Sequence, residues 1–317
     1  MATGTWTRCS SARWAKAISA PSRCPSGGRR PQAGRGAVVV GGSRGVGLAV
    51  AELLAEQGAG VVVNARDADA VSEAAQRIPN AVGLAGSPAE PDVADALIDT
   101  CVSEFGRIDM LVNCAGTAGL AAESILNVTS AQFRELIDAH LGTVFETCRA
   151  AAPLMVAQGG GAIVNTSSFA FLGDYGGTGY PAGKGGVNAL TMALAAELRE
   201  HGVRANVVCP GAKTRLSTGP EYQAHIETLN RRGMLDDTST QAALDAPPPE
   251  YVAPTYAYLA SDLAKDVTGQ IFIAAGGFVG RFDRPTPAIV AYRDHRDSPP
   301  WTVDELHAHI CRDSARG

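Results

Sequence analysis

Ala37-Val38-Val39-Val40 is a short, wholly apolar run that leads straight into Gly41-Gly42-Ser43-Arg44-Gly45-Val46-Gly47, and then into a helical stretch from Leu48 to Gln57 closed by Gly58. Such a run predicts a buried strand. Apolar strands alternate with helical stretches through the rest of the body, which predicts one α/β domain: a doubly wound parallel sheet with helices on both faces. The turn between this strand and helix also carries chemistry. The free N–H groups of a helix N-terminus, with about half a positive charge from the helix dipole, make an anion site. Glycines there let the backbone approach a pyrophosphate closely. A glycine pattern alone often marks only a tight turn, but here it has the flanking strand and helix that a phosphate cradle requires.

A second pattern lies downstream. Tyr180-Pro181-Ala182-Gly183-Lys184 places a phenol and an ammonium at i and i+4, on one face of a helix. A free phenol titrates near pH 10, about three units too high for proton transfer at neutral pH. A neighbouring cation favours the phenolate and is expected to lower that pKa. Ser167 precedes Tyr180 by thirteen residues, and its hydroxyl is expected to bond the same substrate oxygen. The trio can give a proton to, or take one from, a carbonyl or alcohol oxygen; a hydride must come from elsewhere. Ser168 is the rival serine, and counting back from Tyr180 favours Ser167. Tyr175 has no lysine four residues on and reads as substrate-lining or structural.

With these motifs in place the chain resembles the short-chain dehydrogenase/reductase family. Gly41, Gly45 and Gly47 match that family's phosphate turn, although Val40 stands where threonine is usual. Asn113-Cys114-Ala115-Gly116 stands for its Asn-Asn-Ala-Gly element, and Ser167, Tyr180 and Lys184 for its catalytic triple. Pro210-Gly211 after the strand Val203 to Cys209, and Gly269-Gln270-Ile271-Phe272 running to Gly276-Gly277, complete the set over about residues 36 to 280. The resemblance implies a single Rossmann-type domain, a nicotinamide cofactor, and oxidation or reduction of a carbonyl/secondary-alcohol pair. It implies Tyr180 as general acid in reduction, with Lys184 holding the nicotinamide ribose and Ser167 orienting the substrate oxygen. Gly41, Ser43, Arg44, Gly45, Val46, Gly47, Asn113, Ala115, Gly116, Tyr180, Lys184, Pro210 and Gly211 are the cofactor-binding positions expected from it. A homodimer or homotetramer is implied on the same ground.

The departures sharpen these expectations. NAD-dependent relatives end the second strand in an acid; here Val61-Val62-Val63-Asn64 is followed by Ala65 and Arg66. Arg66 can pair with a 2′-phosphate in a bidentate fashion, and Arg44 adds a second cation. NADP(H) is therefore the expected cofactor, with NAD(H) as the alternative; Asp67 is expected to cap the next helix. Gly86 stands where the family commonly has an aspartate near the adenine. His140, in His140-Leu141-Gly142-Thr143, replaces the asparagine that holds a water behind the lysine. Imidazole can donate and accept, so His140 is expected to serve that relay or to be a packing replacement. It adds a resemblance to the (3R)-hydroxyacyl-CoA dehydrogenase units of peroxisomal multifunctional enzymes. A 3-oxoacyl thioester or similar bulky ketone is the leading substrate expectation, and a steroid or polyketide ketone the next. A regulatory protein that binds cofactor without turnover is the alternative of another class.

Composition sets the remaining bounds. The 317 residues are 45% hydrophobic and 19% charged, and no apolar run approaches the roughly 20 residues of a membrane span. Seven basic residues and no acid lie in residues 1–36, so the whole-chain charge of −5 leaves the remainder at −12. Residues 1–35 are expected to be a disordered basic tail without a catalytic part, although their composition superficially resembles a transit peptide. An acidic body argues against nucleic-acid binding. Seven cysteines lie scattered with no C-x-x-C pair, which fits a reducing cytoplasm better than a disulfide framework. His307, His309 and Cys311 lack a fourth ligand, and i and i+2 do not share a helix face, so no metal is expected. A helix capped near Thr129 is expected to run toward Met155, with Pro153 kinking or shortening it. Residues 212–250 are the least regular, and residues 281–317 form an extension expected to wrap over the substrate cleft or a neighbouring subunit.

Overall fold

A computed structural model describes residues 31–117 and 124–314. Residues 1–30 of the expected basic tail, residues 1–35, lie outside the described residues. Within residues 31–35, assigned from sequence to that tail, Gln32 is buried and its N–H donates to the Gln57 carbonyl at 3.0 Å, while Arg35 pairs with Asp262.

The sheet has eight strands in the order β3-β2-β1-β4-β5-β6-β7-β8. They are β1 (Gly36–Val40), β2 (Gly60–Ala65), β3 (Ala81–Ala85), β4 (Met110–Asn113), β5 (Gly161–Thr166), β6 (Val203–Gly211), β7 (Ile271–Ala275) and β8 (Phe278–Phe282). All pair in parallel except β8, which returns antiparallel against β7. The helices are α1 (Gly45–Glu56), α2 (Ala68–Arg77), α3 (Pro91–Phe105), α4 (Ser130–Ile137), α5 (Thr143–Ala157), α6 (Gly179–Glu197), α7 (Pro220–Arg231), α8 (Asp237–Leu244), α9 (Ala253–Ala260) and α10 (Val303–Ser314).

Alternate residues of each central strand feed two separate cores. Val39, Val63 and Val112 pack with Leu54 of α1 and Tyr256 and Leu259 of α9. Val38, Val40, Val62 and Leu111 pack with Leu97 and Ile98 of α3, Met155 of α5 and Val187 of α6. Burial on both faces is why these strands read as continuous apolar runs rather than alternating ones. Strand order reverses direction between β1 and β4, where Val40 stands beside Asn113. A crevice opens at the carboxyl ends of strands at such a switch point.

Thr129 caps α4 with the expected reciprocal box to Gln132. The helix then widens into a π turn, Asp138–Gly142, before α5, and Pro153 does not stop it. Residues 212–250 hold α7 and α8, joined by a small apolar cluster of Ile226, Leu229 and Leu235 with Tyr175 and Tyr222 packed against it. The extension, residues 281–317, takes in the end of β8 and α10; between them Arg293 lies 3.8 Å from the Trp301 ring centroid, and it pairs with Glu305 of α10 at 2.8 Å. Among the described residues no helix is long and apolar enough to cross a membrane.

Candidate active site

The glycine turn is shaped by backbone contact. Gly41 has φ +76°, and a Cβ there would lie 2.6 Å from the Ala115 nitrogen. A Cβ on Gly47 would lie 2.2 Å from the Gly41 carbonyl oxygen. Arg44, the N-cap residue of α1, offers no side-chain cap, and the first turn carries no acid. The first-turn N–H groups are therefore left to an external anion. Ser43 and Val46 belong to this turn, and Thr214 stands over Gly45, 3.5 Å from where its Cβ would be. Ala115 and Gly116 follow β4, and Pro210 and Gly211 end β6, so they border the same crevice. The cradle fits a dinucleotide pyrophosphate.

At the outer end of the crevice Arg66 is exposed and makes no ion pair among the described residues. Arg44 is already paired, its guanidinium donating to Asp67 at 2.6 Å. Asp67 also caps α2, accepting from the Ala70 N–H at 3.1 Å, and that bond chiefly holds its carboxyl below the usual range. Both partners of the Arg44–Asp67 pair are about half exposed, so the pair is weak and exchangeable. Gly86 adopts φ +144°, with a Cβ position 2.9 Å from Val93, so an aspartate there would be strained.

Asn113 departs from its expected cofactor role. Its amide donates to the Asn165 side chain at 2.9 Å and accepts from the Thr147 hydroxyl at 2.9 Å. The Asn165 amide then donates to Thr191 at 2.9 Å. This buried chain ties β4 and β5 to α5 and α6, and buried amides seek such partners. The side chain is consumed in bracing the sheet.

The reacting end assembles from β5, the π turn and α6. Tyr180 and Lys184 do share one face of α6. The Lys184 ammonium donates to the Thr166 carbonyl at 3.0 Å and lies 5.8 Å from the Tyr180 ring centroid. Burial pushes the Lys184 pKa down to about 8. Burial also raises the Tyr180 pKa above the ordinary phenol value, against a lowering hydrogen bond from Ser168. The expected net lowering by Lys184 is thus not what this geometry gives: desolvation outweighs it, because the ammonium is directed at a carbonyl rather than at the phenolic oxygen.

The two serines have different neighbours. Ser167 is buried and its hydroxyl donates to the Lys184 carbonyl at 3.0 Å, while its N–H donates to Val208. Ser168 is half-buried, and its side chain is close enough to the Tyr180 phenol to favour the phenolate. Ser168 also caps the following 3₁₀ turn, Phe169–Leu172, accepting from the Ala170 N–H at 3.2 Å. The Ser167 hydroxyl is thus tied to the backbone of α6, and Ser168 is the serine coupled to the phenol.

His140 sits in the π turn, 1% exposed, with its ring edge-on to Tyr180 at 4.9 Å between centroids. Gly116 makes room for it: a Cβ there would lie 3.2 Å from the imidazole and 3.7 Å from the Lys184 nitrogen. Both ring nitrogens are buried without a hydrogen bond of normal geometry. Burial, then the Lys184 cation, push its pKa down to about 3, slightly opposed by the Thr117 backbone. The imidazole is therefore neutral, able to donate at one nitrogen and accept at the other. Elsewhere, Cys311 lies 3.6 Å from His307 while His309 stacks edge-on against Trp301 at 5.0 Å, so the two histidines of α10 face different neighbours.

Residues 40–279 match the family described as enoyl-(acyl carrier protein) reductase. The chain is 35% identical over 247 residues to a 3alpha-hydroxysteroid dehydrogenase of Mediterraneibacter gnavus, covering 76% of this chain and 95% of that protein. It is 31% identical over 255 residues to the 3-oxoacyl-[acyl-carrier-protein] reductase FabG of Chlamydia muridarum, covering 77% and 96%. It is 35% identical over 255 residues to a cyclohexanol dehydrogenase of an Acinetobacter species, covering 77% and 95%. A crystal structure of a short chain dehydrogenase from Mycobacterium avium superposes with a TM-score of 0.72 at 29% identity, covering 89% of this chain and 95% of that one. With this fold, this crevice and these relatives, the chain belongs to the short-chain dehydrogenase/reductase family of oxidoreductases.

Proposed function

We propose that this protein is an NADP(H)-dependent reductase of bulky ketones, working in the reverse direction on secondary alcohols. The observation that carries the reading is the Tyr180 ring with the Lys184 ammonium 5.8 Å from its centroid on one face of α6, beside a glycine turn shaped for a pyrophosphate. The nicotinamide, when bound, supplies the hydride to the carbonyl carbon. Tyr180 gives its proton to the carbonyl oxygen, and the Ser168 hydroxyl holds that oxygen while negative charge develops on it. Lys184 would hold the nicotinamide ribose. His140, neutral and edge-on to the Tyr180 ring, passes the replacement proton.

Arg66 and Arg44 support the choice of NADP(H), since a guanidinium grips a phosphate in bidentate fashion. Gly41, Ser43, Gly45, Val46 and Gly47 cradle the pyrophosphate, with Ala115, Gly116, Pro210 and Gly211 along the crevice. Tyr175, Tyr222 and the α7–α8 cluster offer an apolar wall on the substrate side, which suits a 3-oxoacyl thioester or an alicyclic ketone. The names of the acyl-carrier-protein and hydroxysteroid relatives favour these two in turn. A steroid or polyketide ketone is the second reading. The assembly is a homodimer or homotetramer, in the cytoplasm, where the buried thiols of Cys101, Cys148 and Cys209 stay reduced.

The test is a titration with NADPH and NADH, followed by a panel of cyclohexanone, a 3-ketosteroid, an acetoacetyl thioester and a crotonyl thioester. NADPH should bind at least about tenfold more tightly, the worth of one charged hydrogen bond. A ketone should consume it. Equal affinities would refute the cofactor assignment, and binding without turnover of any panel member would favour a regulatory protein.

A further inference from the structure

We propose that Phe282, in the C-terminal extension, is a positioning residue for the Ser168 hydroxyl. This rests on the reading of Ser168 as the residue that holds the substrate oxygen. The family match ends at residue 279, inside β8, three residues before Phe282. Phe278, Gly280 and Phe282 alternate onto one face of β8, and the Phe278 ring leans over Gly280, 2.7 Å from where a Cβ would stand. At the end of that face Phe282 meets two rings edge-on: Phe171 at 5.1 Å and Phe169 at 6.1 Å between centroids.

Those two rings belong to the single 3₁₀ turn that Ser168 caps. The turn is held locally by few bonds: Ala170 N–H to the Ser168 hydroxyl, Phe171 N–H to the Ser168 carbonyl at 3.2 Å, and Gly173 N–H to Ala170 at 3.0 Å. Such a short turn needs tertiary contacts to hold one geometry. Phe282 is the ring that both Phe169 and Phe171 share, and β8 is fixed to the main sheet by its ladder to β7. The serine's aim is therefore set from the far edge of the sheet, by the last strand. Edge-to-face ring pairs are directional, so the clamp fixes the orientation of the turn as well as its burial.

The test uses the full-length enzyme and a double-mutant cycle between Phe282→Ala and Ser168→Ala. The readouts are kcat and KM with whichever panel ketone is reduced, NADPH affinity, and hydrogen exchange of residues 168–173. Phe282→Ala should lower kcat about tenfold or more, since a misplacement of order 1 Å can cost about 10²-fold. NADPH affinity should not change, exchange across 168–173 should quicken, and Phe282→Tyr should restore both. In the Ser168→Ala background the loss should disappear, because the group being positioned is gone. Effects of the two substitutions that simply multiply, or unchanged exchange in Phe282→Ala, would overturn the clamp. A Ser168→Ala enzyme with full kcat would instead overturn the serine reading, leaving the clamp to be judged by exchange alone.

Discussion

The two sides of the crevice are packed to different standards. On the nucleotide side β1, β2 and β4 are buried along nearly their whole length, and the glycine turn touches backbone directly. On the substrate side the α7–α8 cluster has three fully buried apolar residues, and Phe278 and Val279 of β8 stand exposed. Close packing leaves the backbone no room to shift, which suits a pyrophosphate that must always sit in one place. The thinner side fixes its geometry with a few ring contacts, and such regions tolerate change in what they accept.

The sharpest way to break this contrast is to add one methyl group on each side. Gly47→Ala forces a Cβ onto the Gly41 carbonyl oxygen and should cost about 3 kcal/mol or more, with loss of cofactor binding. Gly173 has φ +94° and nothing within 4 Å of its Cβ position, so Gly173→Ala should cost only about 1–2 kcal/mol of backbone strain. Thermal unfolding and cofactor titration read both; equal losses would erase the distinction.

Next in size comes the serine pair. Ser168→Ala should lower kcat by about 10²-fold, the worth of one donor to a developing oxyanion. Ser167→Ala should keep most turnover and lose about 1 kcal/mol of stability with its bond to the Lys184 carbonyl. The opposite ranking would reinstate the thirteen-residue count.

Lys184 sits where the two sides meet, and its burial should show as a stability cost. Its folded pKa, about 8, lies below the ordinary 10.5. The unfolded chain therefore binds the proton more tightly, and stability rises with pH between about 8 and 10.5. Lys184→Met should stabilise the fold by about 3 kcal/mol at pH 7, abolish turnover, and lose its advantage near pH 10.5. Urea midpoints at pH 7 and pH 10 would check this. A destabilised variant at pH 7 would mean that the Thr166 bond outweighs desolvation.

What could be read from the sequence follows from how local each signal is. The glycine turn, the Tyr180/Lys184 pair, the Thr129 cap and the Asp67 cap each depend on residues within a few positions, and each was legible. The choice of Ser167 was not, because a residue count assumes a fixed path for the loop, whereas the side on which a serine emerges is set by the strand. Asn113 matched a motif by type, but its partners, Thr147 and Asn165, come from distant segments. The π turn that carries His140 has no local signature. The lysine's effect on the phenol failed for a similar reason: spacing put the groups on one face, and the Thr166 carbonyl then took the ammonium.

The account stands on proton delivery by Tyr180. Single-turnover reduction of a panel ketone by the NADPH complex, compared between the wild type and Tyr180→Phe, tests this most directly. The rate should fall by about 10² to 10⁴ while NADPH affinity stays within about twofold, the change expected when only a hydroxyl outside the phosphate cradle is lost. A Tyr180→Phe enzyme that reduces the ketone at the wild-type rate would contradict it.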